Sequence, residues 1–204
     1  MELPSGLAPS ANFFRDKIYN EALLANKPVP WDVKRHQPAL ELTANLFHGN
    51  ILDIGCGLGD NARWLASLEK VDTIKAVDFA PTCIKQAIDR GTCDGKIQFI
   101  EADVFELNKE LSIANEKFDV LLDSAVFHCI GDDEQQKKYI DSVTQFIKTN
   151  GILVMLVFSD KNVDPWMGPR RISVDHAKNL WSQAGWTLKK YRILVNLIKM
   201  EKSH

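Results

Sequence analysis

The chain has 204 residues, with 25 Lys and Arg against 27 Asp and Glu and a formal net charge of −2. That length suits one α/β domain with a sizeable core, residues 1–204, and is short for two. The near balance of charge, with no run of Lys or Arg, leaves no electrostatic footprint for nucleic acid or an anionic membrane.

The first residues, Met1-Glu-Leu-Pro-Ser-Gly, lack the basic and apolar regions of a signal peptide, and no apolar run approaches membrane-spanning length, so the expectation is a soluble cytoplasmic protein. Cys56, Cys83, Cys93 and Cys129 are scattered without a Cys-x-x-Cys pair, which argues against a zinc centre or a disulfide framework.

In chain order, residues 1–9 read as a loose end and Ser10 to Ala25 as a helix with Phe14, Ile18, Ala22 and Ala25 on one face, part of a cap segment over 1–48. Asn26-Lys-Pro-Val-Pro-Trp31 is extended, because two prolines forbid a helix, and Gln37-Pro-Ala-Leu opens the next helix with Pro38 in its first turn. Ile51, Leu52 and Ile54 form a short strand. Gly55, Gly57 and Gly59 follow, letting the backbone turn sharply and approach a ligand, and then Asp60, a candidate N-cap, precedes Ala62, Leu65 and Ala66 at helical spacing. The core therefore starts at residue 49 with strand, glycine loop, helix.

A second strand, Thr73–Asp78, leads into a helix with Pro81 at its start. A third, Ile97–Ile100, is followed by Glu101-Ala-Asp103, and a fourth, Phe118–Leu122, ends in Asp123-Ser-Ala-Val-Phe-His128. Asp132 and Asp133 can cap a helix carrying Tyr139, Ile140, Val143, Phe146 and Ile147, closed by Asn150-Gly151. The run Ile152–Phe158 is apolar enough to predict a strand buried on both faces. Residues 159–171 form a long loop with Trp166, Met167, Arg170 and Arg171, a candidate substrate cover, and Ser173 caps a last helix with Ala177, Leu180, Trp181 and Ala184 on one face. Trp186–Met200 is strand-like but short for two strands.

A glycine loop between strand and helix suits a dinucleotide pyrophosphate or a nucleoside with a short zwitterionic tail. Here the spacing is Gly-x-Gly-x-Gly, with no Lys or Ser/Thr at P-loop positions, so a phosphate is not the favoured guest. Asp78 ends the second strand where a carboxylate can accept both hydroxyls of a ribose.

The series Leu52-Asp-Ile-Gly-Cys-Gly-Leu-Gly59, Val77-Asp78, Glu101-Ala-Asp103-Val104 and Phe118-Asp-Val-Leu-Leu-Asp123 resembles the class I S-adenosylmethionine-dependent methyltransferases, from about Trp31 to the C-terminal strand. The resemblance implies a Rossmann-like, doubly wound α/β fold with a mainly parallel seven-stranded sheet, or one whose last hairpin is shortened, helices on both faces and an N-terminal helical lid. It implies S-adenosyl-L-methionine as cofactor, held by Trp31, Asp53, Gly55, Cys56, Gly57, Gly59, Asp78, Phe79, Asp103, Val104 and Asp123. In the family an acidic residue at Asp103 accepts from the adenine amino group while the Val104 N–H meets a ring nitrogen. Three of these residues have a structural alternative: Asp103 as a helix cap, Phe79 as an ordinary core aromatic, Cys56 as small packing.

Pro30-Trp31-Asp32, Gln37-Pro38-Ala39 and Gly168-Pro-Arg-Arg-Ile-Ser173 are similar to a small-molecule subgroup related to the thiopurine and tellurite-resistance methyltransferases. That likeness implies Trp31 beside the methionine end of the cofactor and Gln37 near the acceptor. The alternative is that Trp31 is a core aromatic under a loop.

Methyl transfer from a sulfonium is an in-line displacement that needs the acceptor held behind the methyl group, water excluded and any acceptor proton removed. His128 is the candidate general base, since its ordinary pKa of about 6.5 suits a phenol-like hydroxyl. The alternatives are a hydrogen-bonded core histidine, or an acceptor that is already an anion. Trp31, Gln37, Phe127, His128, Trp166, Met167 and Arg170 are the candidate acceptor-binding residues, with Arg170 equally suited to a salt bridge within the protein. His36, His48, His176 and His204 lack ligand spacing, so no metal site is expected.

The leading function is methyl transfer to oxygen or sulfur of a small, apolar, aromatic acceptor. A protein or nucleic-acid methyltransferase is disfavoured by the charge balance and by the absence of Asn/Asp-Pro-Pro-aromatic after the fourth strand; a non-catalytic cofactor-binding or partner protein is the third alternative. The sequence assigns no oligomeric state.

Overall fold

Five strands, β1 (Gly49–Ile54), β2 (Val71–Asp78), β3 (Ile97–Glu101), β4 (Phe118–Ser124) and β5 (Ile147–Leu156), pair in the order β3-β2-β1-β4-β5, every pair parallel. The computed structural model describes residues 32–110, 113–162 and 169–190. The expected helix over Ser10–Ala25, the positions of Trp31, Trp166 and Met167, and the strand expected to run on to Met200 lie wholly or partly outside those residues.

Parallel strands need crossovers, and here the crossovers supply α1 (Asp60–Ala66), α2 (Pro81–Asp89) and α3 (Asp133–Thr144), with α4 (Val174–Gln183) following β5. Alternation along the strands sends side chains to two faces. Ile51, Ile74, Val120 and Leu122 pack with Ala62 and Leu65 of α1 and Ile84 and Ala87 of α2. Leu52, Ile54, Val77 and Leu121 pack with Tyr139, Ile140 and Val143 of α3 and Trp181 of α4. The helices change face between β1 and β4, and a crevice at the carboxyl edge of such a reversal is where open α/β sheets bind ligands.

Some elements differ from their expectation. Pro38–Leu46 is a 3-10 helix, not an α-helix; it buries only Ala39 and Leu40, and the Thr43 hydroxyl donates to the Leu40 carbonyl 2.9 Å away. Gly59, with φ +79°, is the N-cap of α1, and Asp60 is its first residue, paired with Arg63 at 3.4 Å and Arg90 at 3.3 Å. α3 ends at Thr144, and Ile147 already pairs with Phe118, while the next paired residue, Ile152, meets Val120. Asn150, with φ +62°, turns the chain inside this irregularity rather than closing a helix.

β5 is only partly buried, with Val154 alone in the core, in contrast to the doubly buried strand expected from its apolar run. It is the last strand of the sheet among the described residues, so one edge has no strand neighbour there. Trp186 to Lys190 carry no regular structure, and the sheet has five strands among the described residues where seven were expected. No helix among the described residues is long and apolar enough to cross a membrane.

Leu122, fully buried in β4, is close-packed, so Leu122→Ala should cost about 2–5 kcal/mol of unfolding free energy, whereas Leu42→Ala, at a half-exposed position, should stay within about 0.5 kcal/mol of the parent in the same urea titration.

Candidate functional site

The glycine loop is fixed by its neighbours as much as by its own flexibility. Gly55 has φ +66°, and a Cβ there would lie 2.2 Å from Cγ2 of Val126; a Cβ on Gly59 would lie 2.6 Å from the Phe99 ring. The loop thus presses directly on the turn after β4 and on β3. Arg63 of α1 reinforces it by donating to the Leu58 carbonyl, with its guanidinium 5.9 Å from the Phe99 ring centroid.

Asp78 closes the loop from the end of β2. One carboxylate oxygen accepts from Gly57 N–H and the other from Ala80 N–H, each at 2.9 Å. Burial pushes its pKa up to about 6 against the pull of those bonds. Phe79 beside it is half-buried.

Asp53, at the end of β1, is fully buried, and neither carboxylate oxygen has a hydrogen-bond partner. Burial, followed by the negative charges of Asp78 and Asp123, raises its pKa to about 8. An unpartnered buried carboxylate is costly, which marks Asp53 as a place where a cation or hydrogen-bond donor would be welcome. Cys56 is buried and its pKa is raised well above the ordinary thiol value by burial, so it sits in the loop as a neutral thiol.

Asp123, near the end of β4, is fully buried. Its oxygens accept from the N–H groups of Val126 and Phe127 and from the Tyr139 hydroxyl at 2.7 Å. The carboxylate of Asp123, expected at the cofactor, is occupied in shaping the turn that presses on Gly55. That turn contains Ala125 at φ +75°, a conformation that non-glycine side chains seldom adopt and that the surrounding bonds hold in place. Phe127, expected in the acceptor wall, is fully buried against Tyr139 and Trp181.

His128 follows in the same turn, 3% exposed, its ring stacked on Phe158 at 4.6 Å and 16°. Its Nδ1 accepts from Phe158 N–H at 2.9 Å, and burial depresses its pKa to about 4. Arg170 N–H donates to the His128 carbonyl at 3.0 Å. The Arg170 side chain is spent within the protein, 2.6 Å from Asp133 and 3.4 Å from Gln136, so the salt-bridge alternative replaces the expected contact with an anionic substrate.

Asp103 also takes its structural alternative: its carboxylate accepts from Phe105 N–H at 2.9 Å and caps the 3-10 helix Val104–Lys109. The side chain is exposed, leaving room for a ligand contact as well. Gln37 is partly buried and its backbone N–H donates to Asn61 in α1 at 2.9 Å, while His36 stacks on Trp64 at 4.7 Å, so the described end of the cap segment lies against the helix that follows the glycine loop.

Several residues that organise the site escaped the sequence reading. Tyr139 and Gln136 looked like ordinary helix positions, yet Tyr139 holds Asp123 and buried Gln136 donates to the Phe127 and Ile130 carbonyls while accepting from Arg170 and the His176 side chain. The polar Gln136 one turn before an apolar stripe is the signal that was available.

Residues 51–151 match the family model described as "Methyltransferase domain". The 2-heptyl-1-hydroxyquinolin-4(1H)-one methyltransferase of Mycobacteroides abscessus is 28% identical over 172 residues, 81% of this chain and 71% of its own. A solved structure concerning the conversion of a disulfide bond into a thioacetal group during echinomycin biosynthesis is 28% identical with a TM-score of 0.69, over 89% of this chain and 81% of that one. A complex of DhpI with SAM and HEP shares the fold at 18% identity and a TM-score of 0.64, over 86% and 87% of the two chains.

Asp53, Asp78 and Asp123 each keep a proton to higher pH when folded than the ordinary value of 3.8 for the free side chain. The folded state then binds more protons than the unfolded one between about pH 4 and 8, so stability should decline as pH rises through that window. Asp53→Asn removes the largest contributor and should flatten the decline, most visibly between pH 6 and about 8; urea unfolding at stepped pH measures both slopes.

Proposed function

We propose that the chain is a class I S-adenosylmethionine-dependent methyltransferase that transfers the methyl group of S-adenosyl-L-methionine to an oxygen or sulfur atom of a small, apolar, aromatic acceptor. The observation that carries the reading is the meeting of a positive-φ glycine loop, a carboxylate bracing that loop and a buried unpartnered carboxylate at one edge of the sheet. These groups fit the cofactor. Asp78 keeps lone pairs for ribose hydroxyls, Asp53 lies where a positively charged amino acid tail would relieve its isolation, and the glycine backbone admits close approach.

In the same proposal Asp103 and the Val104 N–H serve the adenine edge, half-buried Phe79 packs beside it, and Trp31 flanks the methionine end. Gln37, Trp166 and Met167 line the acceptor side. The cofactor supplies an activated methyl group, and the protein's share is orientation of the acceptor and exclusion of water. The aromatic, hydroxyl-bearing compound in the name of the Mycobacteroides relative supports a small aromatic acceptor, and the balanced net charge of −2 supports a neutral or modestly charged one over nucleic acid. The segments around Trp31, Gln37 and Arg170 support kinship with the thiopurine and tellurite-resistance branches. Four free cysteines suit a reducing compartment such as the cytoplasm.

Calorimetric titration should give saturable binding of S-adenosylmethionine and S-adenosylhomocysteine and none of NAD. Asp78→Ala should weaken that binding by about 1–3 kcal/mol, through lost charged hydrogen bonds and a loosened loop; unaltered affinity would remove the ribose role. Turnover with a panel of small phenols and thiols then tests the acceptor class, and labelling of macromolecules in cell extract instead of the panel would overturn it.

A further inference from the structure

Resting on the methyltransferase reading above, we propose that His128 acts as an Nε2–H hydrogen-bond donor to the acceptor and not as its base. The acceptor is then one that has already lost its proton near neutral pH, a thiolate or the anion of an acidic aryl or heteroaryl hydroxyl, and offers a second oxygen or ring nitrogen to that N–H.

The argument starts from the Phe158 backbone. A peptide N–H only donates, so the 2.9 Å bond to His128 makes Nδ1 an acceptor that carries no proton. A neutral imidazole in that position has its proton on Nε2, and a doubly protonated ring would forfeit the bond from the Phe158 N–H. The ring cannot easily turn to reverse the roles, since it is buried, stacked on Phe158, and its own carbonyl is held by Arg170 N–H.

No neighbouring charge restores basicity. Asp123 is occupied by Val126, Phe127 and Tyr139, and the Arg170 guanidinium faces Asp133. Cys129 is a neutral thiol, pushed up to about 12 by burial, and Asp160 on the segment after β5 is paired with Lys161 and Ser159. Burial is the cause that keeps the ring neutral. Nε2 makes no hydrogen bond to any described residue, and the turn that carries it packs through Val126 on Gly55 of the cofactor loop.

The chemistry balances without a base. A lone pair of the anionic heteroatom forms the bond to the methyl carbon, the carbon–sulfur bond breaks with its electron pair staying on sulfur, the sulfonium becomes a neutral thioether, and the acceptor leaves uncharged. No proton moves to His128.

Two measurements test this. In protein labelled with 15N-histidine, two-bond 1H–15N correlations should show His128 with unprotonated Nδ1, unchanged from pH 5.5 to 8; a protonated Nδ1, or titration within that range, would overturn the assignment. In kinetics with phenols and thiols of graded acidity, the single ionisation in kcat/KM should follow the acceptor's own pKa. His128→Gln, which keeps an N–H but no base, should stay within about 3-fold of the parent, while His128→Ala should lose about 10- to 100-fold, the range of one hydrogen bond to a charged partner, with cofactor affinity unchanged in both. A pH limb that stays constant across acceptors and vanishes equally in Gln and Ala variants would overturn the donor role alone. Failure of the unaltered protein to methylate any of the series would overturn the small-molecule reading and the donor role with it.

Discussion

All five strands run parallel, so every strand ends at the same edge of the sheet, and the carboxylates that terminate β1, β2 and β4 are carried together into a space from which water is largely excluded. Everything notable about the site follows from that convergence. Three buried acids in one place repel one another and resist ionisation, and each must be satisfied or left costly. Asp78 is satisfied by the N–H groups of the loop and of the helix that follow it in space, Asp123 by its own turn and Tyr139, and Asp53 by nothing within the described residues. The division separates two acids held by neighbouring hydrogen-bond donors from one that no described residue satisfies.

Asp78 and Asp123 brace the glycine loop from two different strands. Asp78 holds the glycine loop from the β2 side, while Asp123 holds the β4 turn that presses on Gly55 through Val126. A turn with Ala125 in the left-handed region would relax without such support, and its rigidity is what positions His128. A second polar layer behind it, Gln136 with Arg170, His176 and Asp133, fastens the segment before α4 to α3, so the turn is supported from beneath as well. Preorganisation of this kind suits a reaction in which the protein's contribution is alignment.

The existence and order of the strands were legible because they depend on local pattern: short apolar runs bounded by acids and glycines. Elements decided by competition between neighbours were less so. The residues from Phe146 to Gly151 fit the end of a helix by spacing, but Ile147 pairs with Phe118 and the chain buckles at Asn150 to regain register. Asp60 has the chemistry of an N-cap, yet Gly59 takes the position because the loop must turn through positive φ before the helix can begin, and Asp60 is drawn to Arg63 and Arg90. Phe127 and Asp123 sit in a stretch that looks like a ligand wall on paper; their burial depends on Tyr139 and Trp181, which arrive from helices far along the chain.

By itself the sequence determined the α/β class, the glycine loop at the end of the first strand and the carboxylates that follow, since each is written in residues a few positions apart and obeys the geometry of one strand or one turn. Tertiary structure alone decided which of those carboxylates is free, which nitrogen of His128 is protonated and where Arg170 points. Those outcomes are set by the Tyr139 hydroxyl on Asp123, the Phe158 N–H on His128 and the Asp133 carboxylate on Arg170, and a partner distant in sequence leaves no local trace in the residue it holds.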